Sequence, residues 1–98
     1  MKNKNLSIHK KEDGNFVISD KVSSASLHFI VEDEWLISSL DTCVSIDGER
    51  EMANNLLLVA DIKDEFKDAV TEYPEAHSGG DFEQLFIIHI RIPVSSIS

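Results

Sequence analysis

The sequence predicts a small α+β domain, built mainly from an antiparallel sheet with at least one packed helix. Three observations predict this class. Several segments alternate apolar and polar residues at period two, turn signals containing glycine separate some of them, and one segment carries apolar residues at helical spacing. The length of 98 residues suits one hydrophobic core, so a single domain over residues 1–98 is expected.

The first predicted element is a β-hairpin over residues 5–19. Leu6 and Ile8 alternate with polar residues, and Asp13-Gly14 precedes a second apolar segment. An Asp-Gly pair favours a tight hairpin turn because both residues tolerate positive φ.

Two further strands are predicted after this hairpin. Residues 25–31 are apolar at every second position, as in a half-buried strand. Residues 32–46 fit either a strand or a helical stripe, and the alternation that begins at Trp35 favours the strand. Asp47-Gly48 is a second turn signal, so another hairpin is predicted, with its return path beginning at Glu49.

The helix is predicted at about residues 62–73. Asp61 is a suitable N-cap, and Pro74 is a suitable stop. The apolar run at 56–60 is compatible with either a buried strand or the start of a helix. The residues that recur at helical spacing are Ile62, Phe66, Ala69, Val70 and Tyr73.

The last predicted element is a long strand that ends at Pro93. Apolar residues occupy every second position from Phe86 to Ile92, so one face of this strand is fully apolar. If residues 82–92 lie at an edge of the sheet, they can pair with a strand of a partner protein.

The charge of the chain indicates which partners to expect. The chain has nine Lys and Arg residues and 18 Asp and Glu residues, which gives a net charge of −9. The excess is uneven: residues 1–21 carry five basic and three acidic residues, a net +2, whereas residues 22–98 carry four and fifteen, a net −11. Such a surface repels phosphate, so direct binding to nucleic acid or to an anionic membrane is not expected. A basic protein is the partner that the charge favours.

The compartment is predicted from the cysteine count and the apolar runs. The single cysteine, Cys43, has no partner for an internal disulfide. No apolar run approaches the roughly 20 residues that span a bilayer. The N-terminal residues lack the apolar run of a signal peptide. A cytoplasmic location is therefore expected.

No set of residues predicts catalysis or metal binding. Cys43 lies in an apolar context and is interpreted as a core side chain. Glu75, His77 and Asp81 flank two glycines, but one histidine and two carboxylates on a loop are a weak metal pattern. We therefore expect no enzyme activity, no catalytic residues, no metal and no cofactor.

Two acidic clusters are the candidate partner-binding residues. The alternative interpretation is that each cluster is only a solvated part of the surface, and that the one tryptophan, Trp35, belongs to the core. One cluster surrounds Trp35, a potential aromatic anchor. The other lies on one face of the predicted helix, where carboxylates can face the Arg or Lys of a partner. The candidates are Glu32, Asp33, Glu34 and Trp35 in the first cluster, and Asp61, Asp64, Glu65, Asp68 and Glu72 in the second.

In size, in these acidic segments and in its lack of a catalytic set, the chain resembles the small immunity proteins that bacteria pair with contact-dependent or otherwise secreted toxins. The resemblance implies a non-catalytic inhibitor that covers the active site of a basic toxin, with a nuclease (RNase or DNase) as the expected target. Two alternatives remain: a phage-encoded acidic inhibitor that mimics nucleic acid, and an acidic secretion chaperone. The sequence leaves the oligomeric state open.

Overall fold

The computed structural model of this chain describes residues 1–44, 49–73, 77–78 and 84–97. Within these ranges the chain forms strands, one long helix and a final 3-10 turn at Val94–Ser96. In chain order the elements are β1 (Leu6–Lys10), β2 (Phe16–Asp20), β3 (Ser26–Glu32), β4 (Trp35–Val44), α1 (Glu49–Glu65), β5 (Val70–Glu72), β6 (His77–Ser78) and β7 (Gln84–Pro93).

The described strands form one antiparallel sheet in the order β1-β2-β3-β4-β7-β5. Strands β1 to β4 follow one another as a meander. Strand β7 then lies between β4 and β5, and the short β6 also pairs with β7. The predicted α+β class, a mainly antiparallel sheet with a packed helix, is confirmed.

Helix α1 covers one face of this sheet. The register aligns the apolar positions of neighbouring strands, for example Ile8 with Ile18 and Leu36 with Ile92. Because side chains alternate between the faces of a strand, each of these rows faces the helix. The buried apolar residues are Leu6, Ile18, Leu27, Phe29, Leu36, Leu58, Val59, Ile62, Phe66, Ile88, Ile90 and Ile92.

The strand predictions for the first half of the chain and for residues 84–93 are confirmed. The turn between β1 and β2 forms at the predicted Asp-Gly pair, where Gly14 has a φ of 90° and its N–H donates to Lys11 O at 3.0 Å. A positive φ is the reason this turn requires glycine. Residues 35–44, which fitted two patterns, form strand β4.

The predicted helix boundaries, 62–73, are wrong. Helix α1 begins at Glu49 and ends at Glu65, so Asp61 lies inside the helix and does not cap it. The run at 56–60 is therefore helical. Residues Val70–Glu72 form β5 against β7, with Thr71 opposite Ile90. Pairing with the free side of β7 satisfies backbone groups of both strands, and this tertiary gain outweighs the local helical spacing.

Two other expectations change with this topology. Glu49 begins a helix and not the return strand of a second hairpin. The expected edge strand at 82–92 is not an edge over its described part, because β7 (Gln84–Pro93) has β4 on one side and β5 and β6 on the other. The predicted turn at Asp47-Gly48 and the predicted stop at Pro74 lie outside the described residues. Of the loop predicted at 75–81, His77 and Ser78 form strand β6, and its other residues lie outside the described ranges.

None of the helical structure in the described ranges combines the length and apolar character that a membrane crossing requires. Helix α1, for example, contains charged residues along its length, including Arg50, Asp61 and Lys63.

The packing of α1 predicts unequal effects for two adjacent leucines. Leu58 is fully buried against the sheet, whereas Leu57 is 47% exposed. We expect Leu58→Ala to lower the free energy of unfolding by about 2–5 kcal/mol because it opens a cavity. The matched change Leu57→Ala should stay within about 0.5 kcal/mol. Urea unfolding of both variants checks this, and equal losses would contradict the observed orientation of α1.

Candidate functional site

The first acidic cluster forms the tip of the β3–β4 hairpin. Glu32 pairs with Trp35 across the two strands, so Asp33 and Glu34 form a two-residue turn. Asp33 has a φ of 57°, a left-handed conformation that Asp tolerates better than most residues. All three carboxylate residues are exposed, and none forms an ion pair within the described part of the chain. We call residues 32–35 the acidic hairpin.

Trp35 lies on the sheet face that α1 does not cover, where it is half-buried. The Arg91 guanidinium carbon lies 5.1 Å from the centre of the indole ring, within cation–π range. Arg91 also contacts Glu72, with 3.4 Å between Nη2 and Oε1. Trp35 is therefore positioned by a neighbour on β7 and is not part of the core.

A surface groove of about 410 Å³ adjoins Trp35. Glu34 and Trp35 form one wall, and the end of β7 with the turn after it forms the other. The Val94 N–H donates to the Glu34 carbonyl at 2.9 Å, which joins the two walls. The lining residues are Glu34, Trp35, Pro93, Val94 and Ser95. We call this cavity the hairpin groove.

The second acidic cluster is divided by the structure. Asp61, Asp64 and Glu65 lie in the last turns of α1, Asp68 is exposed in the turn that follows, and Glu72 is in β5. The prediction that these five residues share one helix face is wrong, because the helix ends before Asp68 and Glu72.

The helical carboxylates hold the N-terminal segment of the same chain. The Glu65 carboxylate accepts the backbone N–H groups of Lys2 and Asn3 at 3.0 and 3.1 Å. The Asn3 side-chain amide donates to both Asp61 and Asp64 at 3.1 Å. These carboxylates therefore have internal partners, and the carboxylates of the acidic hairpin have none within the described part of the chain.

Asp61 also meets a second carboxyl group, that of Asp20 at the end of β2. Asp20 is 1% exposed; its Oδ1 accepts the Val22 N–H at 2.8 Å, and its Oδ2 is buried without a hydrogen-bond partner in the described structure. The neighbouring carboxyl group of Asp20 raises the pKa of Asp61, although the Asn3 amide opposes this. Burial acts to raise the pKa of Asp20, but the Asp61 carboxyl group and two backbone N–H groups outweigh it and lower that pKa.

One possible nucleophile–base pair lies on the uncovered sheet face. The Ser39 hydroxyl and His89 Nδ1 are 2.9 Å apart, and both residues are exposed. Glu72 is the cross-strand neighbour of His89, but its carboxylate contacts Arg91 instead. The searched residues also contain no group of three His, Cys, Asp or Glu that could hold a metal ion.

Residues 91–95 are the part of this site that the sequence analysis missed. Arg91 has a signal in the sequence, since it alternates with the apolar positions of β7 and so had to lie on the opposite face. Its contact with Trp35 depends on the pairing of β4 with β7, which sets Trp35 opposite Pro93. No local pattern specifies that register.

The carboxyl pair predicts a stabilising substitution. Asp61→Asn removes the repulsion with Asp20 and supplies an amide group that can donate to the Asp20 carboxylate. We expect it to raise the free energy of unfolding at neutral pH by about 1 kcal/mol, the scale of one hydrogen bond. The pKa of Asp61 is raised in the folded protein, so protonation of Asp61 stabilises the fold. This stabilisation is complete at low pH and is lost as the pH rises through the raised pKa.

The advantage of Asp61→Asn should therefore shrink as the pH falls, when the wild-type Asp61 becomes protonated. Urea unfolding over a pH series measures this difference. The exposed Asp68→Asn is the control, because it removes the same charge away from this pair. An equal gain for both variants would mean that net charge, and not the Asp20–Asp61 contact, is responsible.

Comparison with known proteins gives no assignment for this fold or site. No known protein family, curated protein or solved structure matches the chain. The contacts and charges of its own residues are therefore the basis for a functional conclusion.

Proposed function

We propose that this protein is a non-catalytic inhibitor that binds a basic protein toxin, in the manner of bacterial immunity proteins, with a nuclease as its target. The observation that carries the proposal is the acidic hairpin beside the hairpin groove. It joins three exposed carboxylates to an aromatic side chain that is held in place but still accessible.

The charge of the acidic hairpin suits a surface that binds phosphate. The active site of a nuclease presents Lys and Arg to the nucleic acid backbone. Carboxylates opposite such a site increase the rate of encounter by electrostatic steering. Glu32, Asp33 and Glu34 can serve this role because they have no ion-pair partner in the described part of the chain.

Trp35 supplies the second requirement of a tight inhibitor, a slow dissociation rate. Trp and Arg are enriched among the residues that dominate binding energy, and such residues lie in pockets that exclude water. Trp35 stacks with Arg91 and lines the hairpin groove, so a partner side chain that enters the groove also contacts the indole ring.

The carboxylates near the end of α1 are a less suitable interface. Asp61, Asp64 and Glu65 accept hydrogen bonds from residues 2 and 3, and a partner would have to displace these contacts. We therefore assign the partner-binding role to the acidic hairpin, and a structural role to the helical carboxylates.

The first experiment is a pull-down from the native host with the full chain as bait, at low and then at moderate salt. We expect one basic protein at equal stoichiometry, with a nuclease or other toxic activity that disappears on binding. Salt should weaken its capture, because screening reduces the attraction between exposed charges. Recovery of no basic protein would contradict the proposal.

With that partner, the acidic hairpin predicts two separable kinetic effects. Glu32→Gln combined with Glu34→Gln should lower the association rate several-fold at low salt and reduce its salt dependence. Trp35→Ala should instead raise the dissociation rate by about 30-fold, the effect of losing a dominant contact of about 2 kcal/mol. Surface plasmon resonance measures both rates.

Two control variants distinguish this surface from others. Asp64→Asn combined with Asp68→Asn removes two carboxylates from the end of α1 and the following turn, and should leave association nearly unchanged. Tyr73→Ala truncates an aromatic residue that is 58% exposed elsewhere and should not change dissociation. If Asp64→Asn with Asp68→Asn slows association more than the hairpin variants do, the interface lies at the end of α1. If Tyr73→Ala speeds dissociation more than Trp35→Ala does, the interface lies beside the end of β5.

A further inference from the structure

A second cavity, separate from the hairpin groove, lies between the β2–β3 turn and the first turns of α1. It is a shallow depression, open to solvent, with a volume of about 460 Å³. We call it the serine pocket. It is lined by Ser23, Ser24, Ala25, Ser26, Arg50, Glu51, Asn54 and Asn55.

Two polar side chains of the serine pocket are more than nine-tenths buried. Asn55 and Ser23 are each 8% exposed. Ser23 Oγ accepts the Ala25 N–H at 3.2 Å, which leaves its hydroxyl proton free to donate. The Asn55 side chain forms no hydrogen bond within the described residues, and its amide atoms are not fully enclosed, so they are accessible to a group bound in the pocket. The pocket therefore offers two hydrogen-bond donors on its inner side.

Arg50 provides the positive charge of this pocket. Its side chain is exposed and forms no ion pair with any described residue, whereas Arg91 is engaged by Glu72. A guanidinium presents its N–H donors as a planar fork that matches the two oxygens of a carboxylate. The hydroxyl and amide groups around it can donate to the same oxygens.

Glu51 limits the charge of the ligand. Its carboxylate also lines the pocket, and the whole chain carries a net charge of −9. Both repel a dianion such as phosphate more strongly than a group with a single negative charge. A carboxylate has the single charge and the planar geometry that Arg50 can accommodate.

We propose that the serine pocket binds a carboxylate group, supplied by a small free acid or by the C-terminus of a peptide. Arg50 pairs with the two oxygens, and Asn55 and Ser23 donate from the buried side. This site has no residue in common with the acidic hairpin, and its assignment does not depend on the proposed toxin partner.

The test is an NMR titration of the full ¹⁵N-labelled chain at constant ionic strength, with chloride as the reference anion. Three probes are used: acetate, N-acetyl-triglycine, and the C-terminal amide of the same tripeptide. We expect acetate or the free peptide, but not the amide, to shift the Asn55 side-chain amide and the backbone amides of Ser24 and Ser26 until saturation.

Three variants test the assigned roles. Arg50→Gln should weaken binding about tenfold, the effect of losing a charge-assisted hydrogen bond. Glu51→Gln should tighten it, because a repelling charge is removed. Lys63→Gln removes one positive charge from an exposed position of the same helix and should leave binding unchanged. Each spectrum also reports whether the variant is folded.

The outcomes separate the two sources and the failure of the proposal. Saturation by acetate supports a free acid, and saturation by the peptide alone supports a C-terminal carboxylate. Shifts that never saturate, or that are equal in Arg50→Gln and the wild type, would overturn the proposal, since they indicate a general anion effect only.

Discussion

The ten-residue antiparallel pairing of β4 with β7 is the constraint on which the rest of the structure depends. It sets Leu36 opposite Ile92 and Leu40 opposite Ile88, and so provides the apolar surface on which α1 packs. The same register places Trp35 opposite Pro93, and both residues line the hairpin groove. The hydrophobic core and the candidate site therefore both depend on the pairing of β4 with β7.

Acidic residues serve two different purposes in this fold. Those near the end of α1 accept hydrogen bonds from residues 2 and 3 and fasten the start of the chain to the helix. Those of the acidic hairpin have no internal ion-pair partner among the described residues. Carboxylates with internal partners add to stability, whereas unpaired ones remain free to steer a basic partner. Net charge alone does not separate these roles.

The elements that could be predicted are those specified by neighbouring residues. Gly14 supplied the positive φ for the first turn, and period-two alternation located β3 and β7. The predicted helix was misplaced because the apolar residues of 66–73 are spaced in a way that fits both a helix and a strand. Pairing with β7 favours the strand at Val70–Glu72. Sequence reasoning likewise selected the Glu32–Trp35 cluster but could not supply Arg91 or Val94, whose contacts cross from β7.

The sequence by itself determined the class of the fold, the acidic character of the surface and the hairpin that carries three carboxylates, because each is a local or compositional property. The tertiary structure decided which carboxylates accept hydrogen bonds from other parts of the chain. It also decided where α1 begins and ends, and which residues surround Trp35. These depend on strand register and on contacts between residues as distant as Asn3 and Glu65. Such contacts form only when the whole sheet is assembled, so they cannot be predicted from any short segment of the sequence.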